Sequence, residues 1–88
     1  MGNQDVYLTF INSEINLFAI LDGHGRDGLF VAQFAARLLE DKLVEKTKHT
    51  ACGLSDLGQI IEEIDLKICE HEPWGGALLL HVLSFSQK

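Results

Sequence analysis

A carboxylate, a glycine and an imidazole stand in succession at Asp22-Gly23-His24, followed by Gly25 and preceded by the apolar run Leu17-Phe18-Ala19-Ile20-Leu21. A strand that ends this way brings three tools to one point: an oxygen ligand suited to a hard cation, an uncrowded backbone carbonyl, and a side chain that titrates near neutrality and can give a proton. The same residues also suit an ordinary tight turn, because Asp and Gly are what such turns favour. What lies opposite Asp22 decides between the two.

Residues 5 to 11 and 16 to 22 are rich in Val, Tyr, Thr, Ile, Leu and Phe, and Asn12-Ser13-Glu14 between them has turn chemistry, so the two runs read as a hairpin. A loop over Asn12 to Ile15 pairs Ile11 with Asn16 and, by counting, sets Asp5 directly across from Asp22, with Cβ atoms about 5 Å apart. A slip of one residue would send one carboxylate to the other face. Both faces of the hairpin are apolar, with Val6, Leu8, Leu17 and Leu21 on one and Tyr7, Ile11, Phe18 and Ile20 on the other, as in strands covered on both sides.

From Asp27 the period changes. Val31, Phe34, Ala35, Leu38 and Leu39 keep helical spacing, with Lys42, Glu45 and Lys46 toward water, which predicts a helix capped by Asp27 and running to about Lys46. Phe30 and Phe34 are expected in the core. Thr47 to Gly53 is a polar connection containing a solvated His49, and Ser55 is placed to cap a second helix with Leu57, Ile60, Ile61, Ile64 and Ile68 inward. Glu62, Glu63 and Asp65 lie on its wet side, which makes a solvated face the expectation there rather than a metal site. Glu70-His71-Glu72 is an expected frayed end stopped by Pro73, and Gly75-Gly76 turns the chain into a third strand from Ala77 to Phe85, with His81 as a packed or edge residue. The expected class is α+β, in the order β-β-α-α-β, within a single domain over residues 1–88.

The global numbers narrow the function. At 88 residues a domain buries only about 60% of its unfolded surface, so stability is marginal and a self-sufficient enzyme is not expected. A hydrophobic share of 47% with one proline describes a chain that packs. A net charge of -6 with 7 Lys and Arg argues against nucleic acid as a partner, and any phosphorylated substrate would need metal ions to supply positive charge. Cys52 and Cys69 are too few and too unsuitably spaced for a disulfide scaffold or zinc site, and read as reduced thiols. No run reaches the length of a membrane span and the start is unlike a signal peptide, so the expectation is an intracellular protein, cytoplasmic or nuclear.

With these elements in order, the chain resembles the N-terminal part of the metal-dependent protein phosphatases of type 2C. The resemblance rests on Asn3-Gln4-Asp5 opening the first strand, on Phe18-Ala19-Ile20-Leu21-Asp22-Gly23-His24-Gly25, and on Val31-Ala32-Gln33-Phe34-Ala35 in the helix that follows. Gly75-Gly76-Ala77-Leu78 adds weaker support, without the threonine usual in the family. It implies a serine/threonine phosphoprotein substrate and an α+β sandwich of two antiparallel sheets flanked by helices, of which this chain would supply part. It also implies two Mg²⁺ or Mn²⁺ ions, bridged by Asp22 and bound by the Gly23 carbonyl, with Asp5 at a neighbouring acidic position and His24 protonating the leaving oxygen. Two such ions lower the pKa of a bridging water and stabilise charge on a phosphoryl group.

The departures are equally specific. Gln4 stands where the family commonly has a metal-holding glutamate. The family's phosphate-binding arginine would precede Met1, and two further metal-binding aspartates would follow Lys88. These departures imply a truncated domain with weak metal binding and little turnover alone, its uncovered sheet available to a protein partner. A noncatalytic phosphatase-like interaction module is the alternative. Asp22-x-His24 also fits the metal-binding pair of calcineurin-like metallophosphoesterases, although the Gly-Asp and Asn-His motifs of that family are missing.

Overall fold

A computed structural model of the chain describes residues 4–70 and 76–88. Asn3, the expected stop at Pro73 and the Gly75 turn lie outside the described residues, as do the side chains of Gln4, Cys69 and Glu70. Three strands, β1 (Gln4–Ile11), β2 (Ile15–Gly25) and β3 (Gly76–Gln87), form one antiparallel sheet in the order β1-β2-β3. Helices α1 (Gly28–His49) and α2 (Leu54–Glu70) fall between β2 and β3 in the chain. This is the α+β class in the expected β-β-α-α-β order. A second sheet, which a sandwich requires, is absent among the described residues.

The hairpin turn is held by one side chain. Asn12 Oδ1 accepts hydrogen bonds from the backbone N–H of Glu14 at 2.8 Å and of Ile15 at 3.0 Å, an Asx-type turn that fixes the loop length and hence the register. Asn12 Nδ2 also donates to Thr47 Oγ1 at 3.0 Å, tying the turn to the last part of α1. The resulting register pairs Ile11 with Asn16 and Asp5 with Asp22. Alternation along β2 then does the sorting: Ile15, Leu17, Ala19 and Leu21 are buried, while Phe18 stands on the other side. On β3 one extra residue, Leu83, interrupts the ladder opposite Phe18 and Ala19.

Helix α1 lies across all three strands on the Leu8 and Leu17 side, and α2 packs against α1. Val31, Ala35, Leu39 and Leu43 of α1 meet the sheet, and Leu57, Ile60 and Ile64 of α2 close the core together with Cys52. Burial pushes the Cys52 thiol pKa up, which keeps this free thiol in its unreactive form. Among the described residues no helix lies over the opposite face of the sheet.

Several local expectations are corrected. Phe30 is 65% exposed rather than in the core, because α1 turns position 30 away from the sheet while Val31 and Ala35 face it. The carboxylate of Asp27, although at the N-cap position of α1, makes no capping hydrogen bond and lies 3.2 Å from Arg26 Nη2. Ser55 does not cap α2: the Gly53 carbonyl accepts the first helical bond from Leu57, and Asp56 Oδ2 receives the Gly53 N–H at 2.9 Å. That bond, with Lys46 Nζ 3.3 Å from the same carboxylate, holds the Asp56 pKa below the usual range. His49 is the last residue of α1, 3.0 Å from Glu45, and not a loop residue. Glu62, Glu63 and Asp65 are exposed as expected, and Glu63 pairs with Lys42 at 3.1 Å.

Candidate metal-binding rim

The tetrapeptide is not a turn. β2 stays extended and paired through Gly25, and only there does the backbone reach positive φ, at 87°. Gly23 is therefore opposite Gln4 on one side and Leu78 on the other, and His24 is opposite Ala77. Because Asp22 and His24 are two residues apart on a strand, their side chains share the open face of the sheet, and Asp5 joins them from β1. All of this lies at the end of the sheet beside the start of α1.

The geometry leaves polar atoms unsatisfied. His24 Nε2 is 3.4 Å from Asp22 Oδ1, and both atoms are enclosed with no hydrogen-bond partner among the described residues. Enclosed acceptors in this condition call for an explanation, an ion among them. Asp5 holds its proton more tightly than an ordinary carboxyl: hydrogen bonding with Asp22 is the largest cause, followed by desolvation and by repulsion from the Asp22 charge, with His24 and His81 acting in the opposite direction. His81, expected as a packed or edge residue, contributes to the electrostatics of this site. From β3 it pairs with Ile20 of β2, and alternation from Leu79, the partner of Asp22, puts it on the carboxylate face.

Gly23 is buried, and what presses on it is Gly28. A Cβ built on Gly28 would lie 2.8 Å from the Gly23 carbonyl carbon and 3.1 Å from its oxygen, so only glycine lets α1 start this close to the strand. The helix thereby sets the position of the peptide next to Asp22.

Two facing carboxylates suit one hard divalent ion that keeps most of its waters, as Mg²⁺ does when one or two carboxylates hold it. They do not make a closed cage. Among the described residues no group of three or more His, Cys, Asp or Glu converges in metal-holding geometry. The candidate residues thus divide clearly: Asp5, Asp22 and His24 come together on one face, and Gly23 contributes backbone only.

The repulsion has a testable sign. Since the folded chain binds the Asp5 proton up to a higher pH than the unfolded chain does, the charged pair opposes folding at neutral pH, and that opposition disappears as pH falls through the raised value. Asp5→Asn is expected to raise the melting temperature near neutral pH, with the gain vanishing below the usual carboxylate range. A melting temperature lowered at neutral pH would show that the two carboxylates do not oppose each other.

No family model, curated protein or solved structure matches the chain. Among the described residues no helix is long and apolar enough to cross a membrane.

Proposed function

We propose that the chain is a segment of a metal-dependent protein serine/threonine phosphatase of type 2C, acting on phosphoserine or phosphothreonine in an intracellular protein, in cytoplasm or nucleus, and inactive by itself. The observation that carries this reading is the apposition of Asp5 and Asp22 beside His24 at one end of an open sheet face. In that arrangement Asp5 and Asp22 would hold Mg²⁺ or Mn²⁺, which when bound would supply an activated water and positive charge toward a phosphoryl group. His24 holds a proton at its imidazole for the departing serine or threonine oxygen. Two carboxylates offset only half of the positive charge of two divalent ions, and this is why turnover needs further ligands.

Calorimetric titration with Mn²⁺ tests the reading, alongside phosphate release from a phosphothreonine peptide. The expected result is weak binding, abolished in Asp22→Ala and retained in His24→Ala, with no measurable release of phosphate. Absence of Mn²⁺ binding to the unaltered chain would overturn it. Loss of binding in His24→Ala would instead favour the calcineurin-like arrangement, in which the imidazole is a ligand. A noncatalytic phosphatase-like module has one observation in its favour, the exposed apolar side chains on the sheet face that carries the rim.

A further inference from the structure

The open face of the sheet carries Tyr7 at 66%, Ile11 at 63% and Leu79 at 54% exposure, with Phe18 beside them. Contiguous apolar groups of this size on a flat strand surface mark a contact region rather than ordinary surface scatter. The two aspartates of this face stand at one end, and Glu14 and Lys88, joined by a backbone hydrogen bond, stand beyond the other. Asp5 and Asp22 lie at the Gly23 end, whereas the far end presents Ile11, Asn16 and Ser86, which carry none.

From this distribution we infer that the open face docks against the same face of a second copy of the chain, about a two-fold axis running across the strands. That axis reverses strand direction, so each acidic rim lies over the uncharged Ile11, Asn16 and Ser86 end of the other copy. An axis along the strands would stack four carboxylates together and is excluded by their repulsion. Aligned sheet stacking at about 10 Å, the geometry of β-sandwiches, accommodates the contact. Strands of 8, 11 and 12 residues, at about 3.3 Å per residue and about 4.8 Å apart, present about 500 Å² per copy in projection. With side-chain relief added, two such faces reach the lower bound of about 1,200 Å² for stable interfaces. The pairing uses the uncovered face and does not depend on the metal chemistry proposed above.

Sedimentation equilibrium over a concentration series tests it. The unaltered chain is expected to show the mass of two copies, and Tyr7→Glu with Phe18→Glu the mass of one. Since these side chains are already exposed, the double variant should keep its circular dichroism spectrum. Ile11 gives the orientation: Ile11→Glu would meet the partner's acidic rim and weaken the pair at least tenfold, while Ile11→Lys would meet opposite charge and keep it. A one-copy mass at every concentration would overturn the inference, as would a pair that survives the double glutamate variant, which would mean pairing along the β3 edge. Equal weakening by Ile11→Glu and Ile11→Lys would also overturn it. A Mn²⁺ titration without binding would leave these masses unchanged, so this inference and the phosphatase reading fail separately.

Discussion

Leu43→Ala is expected to remove about 2 to 5 kcal/mol of stability, enough to leave a domain of this size largely unfolded at physiological temperature. Leu43 is wholly buried in α1, within the shared core of helix and sheet, and truncation there loses both burial and packing. The loss should appear in urea unfolding as a lower midpoint with an unchanged slope. Ile11→Ala on the open face is the contrast, with an expected change below about 1 kcal/mol, measured at a concentration where the chain is a single copy. Similar losses for the two leucine and isoleucine truncations would mean that helices do not cover one face alone.

Gly28→Ala is the second large effect. In most exposed helices replacing glycine by alanine stabilises by about 0.5 to 1 kcal/mol, because alanine loses less backbone freedom on folding. At position 28 the new methyl would lie 2.8 Å from a backbone carbon, which cannot swing away as a side chain can, so helix and strand must separate. A net loss of about 1 to 3 kcal/mol is expected, the range usual for overpacking. Gly58, in α2, has nothing within 4 Å of where its methyl would go, and Gly58→Ala should gain the ordinary helix increment. Opposite signs for the two substitutions, read by thermal or urea unfolding, check the close approach. If Gly28→Ala also stabilises, the peptide after Asp22 is not held by α1.

How far the sequence carries depends on where the controlling interaction is local. The facing of Asp5 and Asp22 was legible because a hairpin register follows from loop length, and Asn12 supplies the loop chemistry with its own amide. The helix stripes were legible for the same reason, since Val31, Ala35 and Leu39, or Leu57, Ile60 and Ile64, declare their period within one element. Which face of the sheet the helices cover was not legible. Both faces are apolar, and the choice is made only by the packing of α1 against Leu8, Leu17 and Leu21.

Tertiary context also decided the ends of elements. The tetrapeptide has turn composition yet remains strand, because β1 and β3 pair with it on either side through Gly23. Ser55 has better capping chemistry than Gly53, but Asp56 has its carboxylate on the Gly53 N–H and near Lys46 of the other helix. Phe30 looked like core because it is large and apolar, though its angular position on α1 takes it out of the stripe. His81 entered the electrostatics of Asp5 only once the register of β3 was known.

The Asn12 turn has an evolutionary consequence. Because its amide fixes how many residues separate the two strands, the chemistry at the opposite end of the hairpin is inherited through loop length as much as through the identity of the acidic residues. One codon inserted between Ser13 and Glu14 in a descendant gene, if absorbed by sliding β1, would turn Asp5 inward and leave Asp22 alone. Such a lineage would retain every acidic residue and still lose the paired site.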